Sequence, residues 1–179
     1  ANEIVYFGWT DTDIKNYKTN NQTVFLGFPE DLILEVTYDE GKIYYAIFRS
    51  GESLKHQRQF LPAKDMRFVI VNANGIVYRF DSFDRKCLDI SCYSNITFGS
   101  TYFVSDIALD LSIMTIIDDE GIAVINWDGV LWKRHFEYAK ADYLKVTAIT
   151  AQHVSLEYTP PDDKVQIIKL DTYTGKIHL

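Results

Sequence analysis

Three contiguous carboxylates, Asp118, Asp119 and Glu120, precede Gly121 and open the run DDEGIAVINWDGVLWKR, which also holds Trp127 and Trp132. Acids so placed suit three chemistries: calcium ligation, acid–base catalysis, or attraction of a cationic partner. A calcium loop takes oxygens from alternate positions and closes on a bidentate carboxylate. Contiguous acids in an extended chain point to different sides, so the stretch reads as a solvated hairpin turn. The pairs Asp11 with Asp13 and Asp106 with Asp110 have the residue type for a carboxylate dyad but the polar setting of surface loops. The four histidines, His56, His135, His153 and His178, lie far apart, and none stands in an H-E-x-x-H, G-x-S-x-G or Cys–His context. No glycine-rich phosphate loop occurs. The expectation is a non-enzyme with no metal and no cofactor.

Charge narrows the partner. The chain has 25 acidic and 18 basic residues, a net charge of -7, which repels nucleic acid and anionic lipid and favours a cationic partner. Its densest basic stretch, Lys55-His56-Gln57-Arg58, is too short for a nucleic-acid groove. Cys87 and Cys92, in CLDISC, match neither a redox pair nor a zinc site. In a strand their spacing puts them on opposite faces, as expected of two thiols in a reducing compartment. No run of 18 apolar residues appears, and ANEIVYFGWT lacks a basic n-region and an uninterrupted apolar stretch. A cytoplasmic protein is expected, in which the triplets Asn21-Gln22-Thr23 and Asn95-Ile96-Thr97 carry no glycan.

The elements that must position these residues are strands. Four segments share one form, apolar strand, polar turn, strand: residues 32–49, 68–81, 113–129 and 154–171. Gly41, Gly75 and Gly121 supply the positive φ of a tight turn, and Pro160, Pro161, Asp162 and Asp163 make the fourth break. The turns recur about 40 residues apart, room for four short strands per unit. Earlier strands are expected at 23–26, 104–109 and 145–150. Helix is scarce: a short one is conceivable over 135–145, Pro29-Glu30-Asp31 resembles a first turn that competes with a strand from Leu32, and Ile14 to Gln22 and Ser82 to Ser100 read as surface loops. With 179 residues and 47% hydrophobic content, one all-β domain spanning 1–179 is expected. Its architecture is an antiparallel array of four hairpin units like a small β-propeller, or else a sandwich or barrel.

The segment VSLEYTPPDDKVQIIKLDTYTGKIHL resembles a blade ending of quinoprotein-like, WD-type β-propellers, where a strand finishes in Asp and a T-G-K turn leads outward. AVINWDGVLWKR is a looser copy; Arg49-Ser50-Gly51 and Asp84-Arg85-Lys86 depart from it. The resemblance implies a fold and carries no cofactor residue.

Equivalent blades would gather their turns on one rim, crowning it with Asp39, Glu40, Asp118, Asp119, Glu120, Asp162 and Asp163. Trp127 and Trp132 are packing residues first and contact residues second. The function expected is a protein-binding module for a basic protein partner, with no nucleic acid and no membrane. In its acidity and lack of catalytic motifs the chain is similar in character to bacterial immunity proteins that neutralise nuclease toxins, which share no motif. Two other classes stay open: a small-ligand or carbohydrate-binding propeller-like domain, and a hydrolase acting through buried carboxylates.

Overall fold

A computed structural model describes residues 2–21, 27–51, 58–89, 104–139 and 142–177. The expected strand at 23–26, the triplet at Asn95, Cys92, His56 and His178 lie outside them. The described residues form four separate sheets. Sheet 1 contains β1 (Glu3–Phe7), β2 (Leu32–Tyr38) and β3 (Lys42–Phe48) in the order β1-β3-β2. Sheet 2 runs in chain order through β4 (Arg58–Pro62), β5 (Phe68–Ala73), β6 (Ile76–Asp81) and β7 (Lys86–Asp89). Sheet 3 does the same with β8 (Val104–Ala108), β9 (Ile113–Asp118), β10 (Gly121–Asn126) and β11 (Gly129–His135). Sheet 4 has β12 (Leu144–Ile149), β13 (His153–Tyr158) and β14 (Gln166–Asp171). All four hairpins read from the sequence are present. Every pairing is antiparallel except β1 with β3, where Glu3 to Phe7 run parallel to Tyr44 to Phe48.

The sheets stack in a row, and the strand sequences explain why. On β5 and β6, Val69, Val71, Ala73, Ile76, Tyr78 and Phe80 face sheet 1 and join Phe7, Tyr44, Ala46 and Phe48 in one core. The intervening Ile70 and Val77 face sheet 3 with Leu61, Met114, Ile116 and Ile125. On the other side of sheet 3, Ile113, Ile117, Ile122, Val124 and Trp132 pack against Leu144, Val154, Leu156 and Leu170 of sheet 4. Inner strands are therefore apolar on both faces, as sheets covered on both sides require. Strands β2 and β12 alternate instead. Ile33, Glu35 and Thr37 on the outer face of sheet 1, and Lys145, Ile167 and Lys169 on that of sheet 4, are exposed. None of the four sheets curls into a barrel.

Three sequence expectations are corrected. Within the loop expected over Ser82 to Ser100, Lys86–Asp89 form strand β7, paired with β6. Residues Asp11–Asn21 form a helix, α1, rather than a loop. Thr10 caps it: its hydroxyl accepts from the Asp13 amide at 3.1 Å and donates to the Asp13 carboxylate at 2.6 Å. Because α1 buries none of its residues, it has no apolar stripe to betray it. The segment 135–145 is not a helix in its described part, since β11 extends through His135 and β12 begins at Leu144. At 29–31 the strand reading prevails: Asp31 closes a turn on the Phe28 carbonyl and β2 follows.

A repeated corner ties neighbouring sheets together. After β14, the Asp171 carboxylate accepts from the amides of Tyr173 and Thr174, and Gly175 has φ +67°. After β6, the Asp81 carboxylate accepts from the amides of Phe83 and Asp84, and Arg85 takes the same left-handed conformation at φ +55°. Asp81-Ser82-Phe83-Asp84-Arg85-Lys86 thus copies Asp171-Thr172-Tyr173-Thr174-Gly175-Lys176, with arginine where glycine is easier. Each corner also offers a carbonyl to an aromatic of the preceding sheet: Ser82 to the Tyr44 hydroxyl, Thr172 to the Trp132 indole. No helix among the described residues is long and apolar enough to cross a membrane.

Candidate functional site

The seven acids of the expected crown do not share a rim. Between sheets 1 and 2, Gly51 and Asn74 meet at one end, where the Gly51 amide reaches the Ala73 carbonyl and Asn74 donates to the Gly51 carbonyl. At the other end Tyr44 reaches Ser82, and Arg85 stacks on Tyr38 and Tyr44 at 4.7 Å from each ring. Asp39 and Glu40 follow Tyr38, so their turn lies opposite the Asn74-Gly75 turn of sheet 2; Trp127, at the end of β10 away from the Asp118 turn, bonds Leu61 and Arg79 on the Ser82 side of sheet 2, which leaves the Asp118 turn on the Asn74-Gly75 side. The cause is the build of sheet 1: β3 is central, taking β1 in parallel on its far side, and it leads into sheet 2 from the end away from its own hairpin turn.

Sheets 3 and 4 behave as expected. The Phe136 amide donates to the Glu120 carbonyl, and the Phe136 ring packs edge-on to Tyr158, centroids 5.0 Å apart, just before the Pro160 turn. The turns bearing Asp118, Asp119, Glu120, Asp162 and Asp163 therefore emerge at one end. Asp119, Glu120, Asp162 and Asp163 are exposed there. Asp118 is half-buried, and its carboxylate accepts from the amides of Glu120 at 2.8 Å and Gly121 at 3.0 Å. This is an Asx turn, in which one carboxylate oxygen is held by the turn's own backbone. Burial pushes the Asp118 carboxyl above the usual carboxylate range, although both amides and the nearby Lys133 pull it down.

The tryptophans leave the contact surface. Trp132 is buried between sheets 3 and 4, its indole donating to the Thr172 carbonyl at 2.8 Å and lying against Gly175. Trp127 is half-buried between sheets 2 and 3; its indole donates to the Leu61 carbonyl at 3.0 Å, and its carbonyl accepts from Arg79. Both serve as staples between sheets, because a ring that fills a gap and satisfies a buried carbonyl is worth more there than in water.

One concavity was not anticipated. A groove of about 760 Å³ opens between β2 and the β4 side of sheet 2. Leu34, Val36 and Tyr38 line it from one side, and Phe60, Pro62, Met66 and Phe83 from the other. Phe60, Met66 and Phe83 are more than half exposed. The trace of Met66 and Phe83 in the sequence is an apolar residue inside a polar turn, as in AKDMR and DSFDRK, while Phe60 stands on strand β4. Beside the lining residue Phe83, Arg67 bonds Asp81 through two nitrogens at 3.1 and 3.0 Å and lies 5.6 Å from the Phe83 ring. Asp81 is buried, which raises its pKa, but Arg67 and the amides of Asp84 and Phe83 outweigh burial and hold it below the usual range. Arg85 is engaged by the Glu3 carboxylate.

No protein-family model, curated protein or solved structure matches the chain. The physical reading of the site therefore stands alone.

Proposed function

We propose that the chain is a non-catalytic module of propeller-like build that holds a basic protein through the carboxylate end of sheets 3 and 4, as an inhibitor or immunity protein holds a cationic toxin such as a nuclease. The repeated corner after β6 and β14 supports treating the sheets as blade-like units. One observation carries the binding reading. Asp119, Glu120, Asp162 and Asp163 project together, exposed, and no cation among the described residues forms an ion pair with any of them. Unneutralised carboxylates, in a protein of net charge -7, raise the association rate of a positively charged surface.

The experiment is to express the protein with the product of the adjacent gene and look for a stoichiometric complex and for inhibition of any nuclease activity. A complex that dissociates with rising salt supports the reading. Absence of both complex and inhibition removes the toxin-neutralising version.

A further inference from the structure

We infer that the groove between sheets 1 and 2 is a second, separate binding site, and that it takes an extended apolar peptide segment bearing Lys or Arg, added as a strand along the open edge of β2. This goes beyond the carboxylate end of sheets 3 and 4 and does not depend on it.

Several observations converge. Among the described residues, strand β2 pairs with β3 on one side and is an edge on the other. The groove follows that edge: Leu34, Val36 and Tyr38 line it, and so do Glu35 and Thr37, which belong to the other face of the strand. Residues of both faces can line one groove where it runs beside the backbone between them. An edge backbone offers alternate N–H and C=O groups to an incoming strand. Opposite the edge, Phe60, Met66 and Phe83 expose more than half their surface. Apolar side chains gathered so on a soluble protein mark an interaction surface. The size, about 760 Å³, suits a few side chains of a peptide.

Charge selects the occupant. Arg85, the one cation among the lining residues, is engaged by Glu3, and Arg67 beside Phe83 is engaged by Asp81 and Asp84. The exposed charges along the β2 side are Glu35 and Asp39. An apolar segment alternating with basic residues would place its apolar side chains on Phe60 and Met66 and its cations toward these carboxylates.

The test pans a random peptide library on the whole protein and on F60D and M66D. Both residues are exposed, so each variant should fold, as its thermal transition will show. Enriched peptides should alternate apolar residues with Lys or Arg, and bind either variant about tenfold or more weakly. Synthetic copies N-methylated at every second residue should lose binding in one phase and keep it in the other, because a paired strand uses only alternate amides. Three results would overturn the proposal: no enrichment above F60D, enrichment of acidic peptides, or indifference to methylation in both phases. The last would make the groove a site for a small apolar ligand.

Discussion

Tyr44 of sheet 1 donates its hydroxyl hydrogen to the Ser82 carbonyl of sheet 2 at 2.6 Å, and Trp132 of sheet 3 makes the equivalent bond to Thr172 of sheet 4 at 2.8 Å. Two sheet interfaces are therefore closed by one device, an aromatic donor reaching the first corner residue after a buried or half-buried aspartate. Burial pushes the Tyr44 hydroxyl up to about 12, keeping it a donor, despite the nearby Arg85. Removing the hydroxyl in Tyr44→Phe leaves a carbonyl unpaired and should cost about 1–2 kcal/mol. Trp132→Phe adds a cavity and should cost about 2–4 kcal/mol. Chemical denaturation reads both as a lower midpoint with an unchanged slope.

Glycine substitutions should separate strain from collision. A Cβ on Gly41 meets nothing within 4 Å, so Gly41→Ala bears only the left-handed penalty at φ +85°, about 1–2 kcal/mol. A Cβ on Gly121 would stand 1.9 Å from the Arg134 carbonyl oxygen. Backbone there must move and the β10–β11 pairing with it, so Gly121→Ala should cost more than about 3 kcal/mol. Equal losses in the two variants would contradict the pairing described.

Asp81 and Asp118 should give opposite pH dependences. The Asp81 carboxyl is depressed by Arg67 and two amides against the effect of burial. It therefore contributes stability that is present above the ordinary carboxylate pKa and lost as pH falls through its folded value. The Asp118 carboxyl is raised by burial, so the folded state binds its proton more tightly, and stability falls as pH rises from the ordinary value through the raised one. Asp81→Asn should flatten the acid limb of a stability–pH curve, and Asp118→Asn should remove the loss in the window above it. Thermal melts of both variants from acid to neutral pH check the signs.

Helix α1 rests on its cap. With no buried residue to hold it, Thr10→Val should cost about 1 kcal/mol of local helix stability. Hydrogen exchange should quicken in residues 11–21 while the sheets keep their protection.

The hairpins were legible because their signals are local: period-two strands around Asp-Glu-Gly, Asn-Gly and Pro-Asp turns. What was missed depends on neighbours. α1 offers only Ile14 and Tyr17, both half-buried, as an apolar face, and its capping residue at the third position is Asp13 rather than the Glu or Gln of the familiar box. The corner at Arg85 was hidden because arginine stands at a positive φ. The crown failed because the position of a turn depends on which strand sits in the middle of its sheet, and the parallel pairing of β1 with β3 is a long-range choice. Trp127 and Trp132 were legible as packing residues, but not the carbonyls of other sheets, Leu61 and Thr172, that their indoles reach. The groove joins residues such as Tyr38, Phe60 and Phe83, which only sheet stacking brings together.

Docking on the carboxylate end of sheets 3 and 4 is tested most directly by one rate measurement. The association rate with the adjacent gene product is followed against ionic strength for the native protein and for a variant carrying Asp119→Asn, Glu120→Gln, Asp162→Asn and Asp163→Asn. The native rate should fall steeply with salt, and the variant should start about tenfold or more slower at low salt and change little. Equal rates and equal salt slopes for the two proteins would contradict it.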